Sequence, residues 1–230
     1  MTLSIIIPAY NEETTLNELV QKLKKIKLRG NLSKEIVVVN DGSTDNTHKI
    51  LEKIKGITVV THSKNKGKGA AVIAGLKKAK GGIYLIQDAD LEYYPSDIPK
   101  IIKPILEGKA DIVYGSRNLR KRTSYSSLLY YAGGLFIEAI TNLILGTKIT
   151  DSITGYKAFT RKVYKKISPI RSRGFEIEAE ITAKAVKAGF TILEVPINYK
   201  ARTHSQGKNI RWHHGLIILR AVWKYSRKTG

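Results

Sequence analysis

The stretch "IYLIQDADLEYYP", residues 83–95, carries the first decision about the fold. Five residues read as a buried strand and run straight into Asp88, Asp90 and Glu92 before Pro95 closes the segment. Outward from it the same pattern recurs. "LSIIIP" (3–8) is a nearly continuous apolar run that suits a strand buried on both faces, and residues 12–26 then show helical spacing through Leu16, Leu19, Leu23 and Ile26. "EIVVVN" (35–40) is a second strand, followed by a helix opening at "STDNTHKILEKI" with Ser43 or Asp45 as its cap. "ITVVTH" (57–62) and "DIVYG" (111–115) are further strands, with helical patterns over 67–80 and 96–107. Alternation of this kind predicts an α/β fold: a mostly parallel central sheet joined by right-handed crossovers and flanked by helices.

Ligands of such sheets sit beyond the carboxyl ends of the strands. Here those ends read "AYNEE", "NDGST", "HSKNKGKG", "QDADLE" and "GSRN", and four of the five carry an acid or an arginine directly after the strand. After residue 115 the alternation stops. A basic, serine-rich stretch (117–127) leads to an apolar helix, then to "DSITGYKAFTR" (151–161), a helix near 176–188, the strand "LEVPINY" (193–199) and a basic segment, 200–209. The tail mixes Trp212, Leu216, Ile217, Leu219 and Trp223 with Arg and Lys at helical spacing, which reads as a basic amphipathic helix.

Forty Lys and Arg stand against 19 Asp and Glu, a formal charge of +21. Such an excess favours a polyanionic partner, be it nucleic acid, an anionic membrane surface or a phosphate-bearing substrate, beside the plainer reading of a lysine-rich solvated surface. Aromatic residues do not interleave with the basic runs and no recognition motif is present, which argues against nucleic acid. There is no cysteine, hence no disulfide or thiolate metal site. The N-terminus has no basic leader, and its apolar run is too short for a signal peptide. The most hydrophobic long window, 128–146, holds Glu138 and Asn142 and two adjacent glycines, so it reads as an amphipathic or buried helix and not as a membrane span.

Asp88, Asp90 and Glu92 alternate, so an extended strand tip would present all three on one face. Carboxylates that close raise one another's pKa unless a cation sits among them, and a hard divalent ion, Mg²⁺ or Mn²⁺, takes one or two carboxylates while leaving positions for water and phosphate. A solvated acidic turn before Pro95 is the plainer alternative. Asp41 in "NDGSTD" doubles as a turn residue, and Glu12 as first-turn helix chemistry. "NKGKG" (65–69) lacks the spacing of a Walker loop. Glu176, Glu178 and Glu180 read as helix-surface or capping charges, His48, His213 and His214 as solvated, and only His204 lies in a segment with functional character.

Taken together, "IIIPAYNEE", "IVVVNDGSTDNT", "NKGKGAAVIAGLKKAKG", "QDADLEYYP" and "ADIVYGSR" resemble the family 2 glycosyltransferases, inverting enzymes of the GT-A fold that use nucleotide-diphosphate sugars. "DSITGYKAFTR", "GFEIEAEI" and "EVPINYKARTHSQGKN" narrow the likeness to the polyprenyl-phosphate (dolichyl-phosphate) mannosyl- and glucosyltransferase branch. The resemblance implies a transferase domain over residues 1–209, with a nucleotide-sugar half (1–115) and an acceptor half (116–209), followed by the basic helix 210–230. It places Pro8, Ala9, Tyr10 and Glu12 at the nucleoside, Asp41 at the base, and Lys68 and Ala89 in the same donor site. Asp88 becomes the ribose- or metal-proximal acid, Asp90 the direct metal ligand, and Glu92 a second ligand where relatives often carry Gln. Arg117 would hold the acceptor phosphate. Arg202, Ser205 and Lys208 would close over the donor diphosphate, and Asp151 occupies the position sometimes assigned a catalytic role.

On that resemblance the expected donor is GDP-mannose or UDP-glucose, with mannose favoured, the cofactor Mg²⁺ or Mn²⁺, and the acceptor a polyprenyl or dolichyl monophosphate. Negative charge builds on the departing diphosphate, so a cation at Asp90 with Arg202 and Lys208 would stabilise the transition state more than the ground state. A lipid monophosphate has a second pKa of about 6 and is largely deprotonated at neutral pH, which favours an electrostatic role for Asp151 over proton abstraction. A transferase acting on a soluble or polysaccharide acceptor would instead make Asp151 or Glu176 a general base. A sugar nucleotidyltransferase would need a glycine-rich loop after the first strand, which "PAYNEE" does not supply. The expected location is cytoplasmic, peripheral on the inner face of the cell membrane, with helix 126–145 and the tail 210–228 as the attaching face.

Overall fold

The computed structural model describes residues 1–28, 30–119, 128–202 and 213–227. The expected alternation is present: β1 (Thr2–Ala9), α1 (Leu16–Lys25), β2 (Ser33–Asn40), α2 (Thr47–Lys53), β3 (Thr58–Thr61), α3 (Lys68–Lys78), β4 (Ile83–Ile86), a 3₁₀ turn (Pro95–Asp97) leading into α4 (Ile98–Leu106), and β5 (Ile112–Ser116). Beyond it come α5 (Leu128–Leu145), β6 (Lys157–Thr160), α6 (Arg161–Ile167), α7 (Ile177–Lys187), β7 (Ile192–Pro196) and α8 (His213–Ser226). The strands form one seven-stranded sheet in the order β3-β2-β1-β4-β6-β5-β7. Every pairing is parallel except those of β6, which runs antiparallel to both β4 and β5.

Two-residue periodicity divides β1 between the faces of the sheet. Ile5 and Ile7 pack with Leu16, Leu19 and Leu23 of α1 and Ile98 and Ile101 of α4, whereas Ile6 packs on the other side with Val72 and Leu76 of α3 and Ile177 and Ile181 of α7. Leu16, Leu19, Val20 and Leu23 are fully buried along one stripe of α1, each worth about 1.5–3 kcal/mol relative to exposure. Lys34 ends that helix: its ammonium donates to the carbonyls of Leu23, Lys24 and Ile26 at 2.8, 2.7 and 2.5 Å. At the start of α2 the capping oxygen comes from Asp45, which accepts the N–H of Thr47 at 2.9 Å, while Ser43 accepts instead from Asn11.

Apolar periodicity passes over β6 and α6 for a physical reason. β6 opens with Lys157, fully buried, whose ammonium is held by the carbonyls of Ser152 and Thr154 and by Glu178 at 2.8 Å. A strand whose inward side chain is a paired lysine has no apolar signature. β7 is shorter than expected, because residues 197–202 leave the sheet to pair with the loop after β4: Tyr93 and Tyr199 form an isolated bridge and the Lys200 N–H donates to the Glu92 carbonyl.

α5 is helical as expected, with Glu138 buried against Ser152. Among the described residues no helix is long and apolar enough to cross a membrane. On α8, Ile218, Ala221 and Val222 are buried against Ala179 of α7, with Ile137 and Ile144 of α5 packed around them.

Candidate active site

The carboxyl ends of β1, β2, β4 and β5 meet at one cavity of about 450 Å³. Pro8, Ala9, Tyr10 and Glu12 line it after β1, Asp41 after β2, Asp88, Ala89, Asp90 and Glu92 after β4, and Arg117 after β5. Lys68 enters from the first turn of α3, and Arg202 from the segment after β7. Arg202 is fixed by two acceptors, the Asp90 carbonyl to its Nε at 2.9 Å and Glu12 Oε2 to its terminal nitrogen at 2.7 Å.

Asp41 is 2% exposed and uses its oxygens on the next loop, accepting from the N–H groups of Lys66 and Gly67 and pairing with Nδ1 of His62 at 2.6 Å. His62 went unnoticed in the sequence, although it directly follows the observed β3. Gly67 has φ +96°, and a Cβ there would lie 2.5 Å from the Arg173 carbonyl oxygen. The glycine is thus required by the close approach of the 171–174 segment.

Asp88, Asp90 and Glu92 do not form the array expected of a strand tip. β4 ends at Ile86, and the chain turns through Leu91 at φ +62°, so the two-residue alternation no longer governs where these side chains point. Lys68 pairs with both Asp88 oxygens, at 2.7 and 2.9 Å. Asp90 Oδ1 accepts the N–H of Glu92 at 3.0 Å. Glu92 accepts from the Tyr199 hydroxyl at 2.5 Å and from the Arg202 N–H at 2.6 Å. Among the described residues no three acids or histidines converge at metal-ligating spacing. Burial, with Asp88 and Glu92 adding, pushes the Asp90 carboxyl up to about 8.

Arg117 and Asp151 form the second centre. Asp151 does not line the cavity: it is 1% exposed and lies behind Arg117, whose Nε and terminal nitrogen donate to its two oxygens at 2.8 and 2.7 Å. Burial opposes the charge on Arg117, but Asp151, with Tyr93 and Tyr199 adding, outweighs it and the guanidinium is held well above its ordinary range. Asp151 is itself positioned by Glu194, which accepts its N–H at 2.9 Å.

Of the three acids around α7 only Glu178 reaches the cavity, between Lys68 at 3.1 Å and Lys157 at 2.8 Å. Burial would raise Glu178, yet Lys157 and Lys68 keep it below the usual carboxylate range. Glu176 and Glu180 accept backbone N–H groups of residues 171–174, so they brace the segment before α7 and do not cap the helix, and Glu178 and Glu180 are buried where a surface position was expected. Tyr93, Phe175, Tyr199 and Ile218 also line the cavity and carried no signal beyond ordinary core apolarity. Ser205, Lys208 and His204 lie outside the described residues.

A family model described as glycosyl transferase family 2 matches residues 4–168. The chain belongs to that family. This family 2 glycosyltransferase is 33% identical over 229 residues to a UDP-N-acetylglucosamine–dolichyl-phosphate N-acetylglucosaminyltransferase of Methanococcus voltae, covering 90% of this chain and 89% of the relative. It is 33% identical over 217 residues to a dolichol-phosphate mannosyltransferase of Pyrococcus furiosus, covering 90% of this chain but 59% of that one. In fold it matches the glucosyl-3-phosphoglycerate synthase of Mycobacterium tuberculosis solved with uridine diphosphate, with a TM-score of 0.73 at 20% identity over 98% of this chain and 80% of the other. That synthase has also been solved with Mn²⁺ or Mg²⁺ beside uridine diphosphate. The likeness establishes the GT-A architecture.

The donor atoms of this glycosyltransferase fit a hard divalent cation. Asp90 is a buried carboxyl crowded by two others, a strain that a cation relieves, and Asp88 stands beside it. One or two carboxylates completed by water and phosphate oxygens is the usual arrangement for Mg²⁺. The geometry fits that arrangement and not a cage of three carboxylates.

Proposed function

We propose that this glycosyltransferase moves a hexose from a nucleoside-diphosphate sugar to the monophosphate of a polyprenyl (dolichyl) lipid, with inversion and with a divalent cation held by Asp90 and Asp88. The observation that carries the reading is the placement of Arg117: it faces the same cavity as Asp88 and Asp90, locked by Asp151. A planar guanidinium grips two oxygens of a phosphate, and a monoester with a second pKa of about 6 needs orientation more than deprotonation. When bound, the cation supplies positive charge against the departing diphosphate.

The remaining steps belong to the chain's own residues. Pro8, Ala9, Tyr10 and Glu12 receive the nucleoside, and Asp41 holds the loop beside it. Lys68 fixes Asp88. Arg202, braced by Glu12 and the Asp90 carbonyl, stands at the donor diphosphate, with Ser205 and Lys208 of the family motif assigned to the same group. Arg117 sets the acceptor oxygen in line with the sugar, and Asp151 keeps Arg117 charged and in place.

GDP-mannose is the donor suggested by the sequence motifs and supported by the Pyrococcus relative. The Methanococcus relative, matched over nearly its whole length, favours a second reading with a UDP-sugar. Purified protein incubated with Mn²⁺, a polyprenyl phosphate and labelled GDP-mannose, UDP-glucose or UDP-N-acetylglucosamine decides this. The expected result is label in the organic extract for one donor. Label found only on a water-soluble acceptor supports the polysaccharide reading instead, and no extractable label with any donor removes the lipid acceptor.

Attachment to an anionic membrane surface belongs to the same reading. Leu135, Phe136 and Leu143 of α5 and Leu216, Ile217 and Trp223 of α8 are exposed, and α8 also sends Ile218 into the cavity. Apolar surface continuous with the acceptor end, on a chain of charge +21, suits a bilayer in which the lipid phosphate resides.

A further inference from the structure

We infer that Glu92 is a positioning residue and not a cation ligand, and that with Tyr199 it ties the donor loop to the acceptor arginine. The inference rests on the assignment of Asp90 to the cation and Arg117 to the acceptor phosphate.

Each Glu92 oxygen already serves one donor of the segment after β7. Oε2 takes the Tyr199 hydroxyl at 2.5 Å, Oε1 takes the Arg202 N–H at 2.6 Å, and the Glu92 carbonyl takes the Lys200 N–H at 3.0 Å. With the Tyr93–Tyr199 bridge, residues 199–202 are fastened along residues 92–93. Swinging Glu92 toward a cation at Asp90 would strand a half-buried hydroxyl and an N–H, at a cost of about 1–3 kcal/mol for each unsatisfied group.

The chain continues from there into the acceptor end. The Tyr199 ring centroid lies 5.2 Å from Cζ of Arg117, and the ring also packs against Tyr93 with the centroids 5.2 Å apart. Arg117 in turn is clasped by Asp151. Glu92, Tyr199, Arg117 and Asp151 therefore form a continuous run of contacts from the donor loop to the acceptor site. A carboxylate suits the first place because it only accepts, and both its partners only donate to it there. A glutamine could keep its oxygen for the Arg202 N–H only by presenting its amide NH₂ to the Tyr199 hydroxyl, which would then have to accept where it now donates.

The test separates ligation from positioning. Mn²⁺ affinity is measured by electron paramagnetic resonance with GDP or UDP present, and steady-state KM and kcat with farnesyl phosphate, for Glu92→Gln, Tyr199→Phe, the double variant and Asp90→Asn. We expect Mn²⁺ affinity within roughly twofold of wild type for the first three and at least about tenfold weaker for Asp90→Asn. Farnesyl phosphate KM should rise roughly fivefold in Tyr199→Phe with donor KM unchanged, and the double variant should be no worse than the worse single one, as coupled partners require. A tenfold loss of Mn²⁺ affinity in Glu92→Gln overturns the inference, and so does an unchanged acceptor KM in Tyr199→Phe, the variant that keeps the ring and its packing if Glu92→Gln does not fold. Should wild type give no product from farnesyl phosphate, the acceptor assignment falls, while the Mn²⁺ measurement still decides whether Glu92 is a ligand.

Discussion

Asp151 holds Arg117 by three contacts: both carboxylate oxygens meet the guanidinium, at 2.8 and 2.7 Å, and Oδ2 also takes the Arg117 backbone N–H at 2.9 Å. The aspartate is 1% exposed and, unlike Arg117, does not line the cavity. We propose that an acid so placed orients the guanidinium and takes no substrate proton.

Asp151→Asn tests that division of labour. It leaves a buried guanidinium without its counter-charge, a loss of about 3–5 kcal/mol for a broken buried pair, and frees Arg117 to rotate. We expect kcat/KM for the lipid phosphate to fall by about 100-fold, the scale of misplacing a reacting group by an ångström. The acid limb of the pH–rate profile should persist, since it follows the second ionisation of the acceptor, near about pH 6. Loss of that limb in the variant would identify Asp151 as the base.

Gly155→Ala addresses the donor side. A Cβ at that position would stand 2.3 Å from Oδ2 of Asp88 and 3.0 Å from Nζ of Lys68, inside the pair that fixes the metal-proximal acid. Asp88 must move. Isothermal titration should show Mn²⁺–nucleotide affinity reduced by about tenfold, with a change in thermal stability small enough to leave the protein folded. Unaltered affinity would mean that Asp88 takes no part in donor binding.

What could be read in advance divides along physical lines. Buried parallel strands such as β1 and β2 are dense in Ile and Val, so their places and the loops at their ends, with Asp41, Asp88, Asp90 and Arg117, were legible. Lys157 concealed β6, because its charge is neutralised by Glu178 from another element, a partnership that no local pattern displays. The same holds for Glu92. Its spacing from Asp90 suggested ligation, whereas its partners Tyr199 and Arg202 lie more than 100 residues away. Long-range pairing of polar groups is the part of the site that periodicity does not encode.

Glu138→Gln bears on pH dependence. Burial, reinforced by Asp151 and Glu194 and resisted by two hydrogen bonds from Ser152, pushes Glu138 up to about 7 from an ordinary 4.5. The folded state therefore keeps this proton where the unfolded state has lost it. The contribution to stability is fully present below pH 4.5 and is lost as pH rises to 7, on the order of 3 kcal/mol in all. A glutamine oxygen retains the Ser152 hydrogen bonds and carries no charge. Urea unfolding at pH 5 and pH 8 should show wild type losing stability across that interval and the variant losing less, with the variant the more stable of the two at pH 8.

Phe136→Asp and Leu216→Asp test the apolar face. Both side chains are 64% exposed, so charging them breaks no packing and should alter stability by no more than about 0.5 kcal/mol. Phe136 shares a helical face with Leu143, and Leu216 with Trp223, each seven residues on, and α5 and α8 pack together, so both substitutions fall on surface that a bilayer would cover. On the proposed membrane surface each would replace apolar area covered by the bilayer with a carboxylate facing anionic headgroups. Flotation with vesicles containing an anionic lipid should show binding reduced by about tenfold at low salt, and turnover of a long-chain polyprenyl phosphate in those vesicles reduced with it. Turnover of farnesyl phosphate in solution should stay at the wild-type level, because nothing at Arg117 has changed. Equal losses with both acceptors would place these residues in the cavity's own machinery, and wild-type binding to vesicles by both variants would remove α5 and α8 as the attaching face.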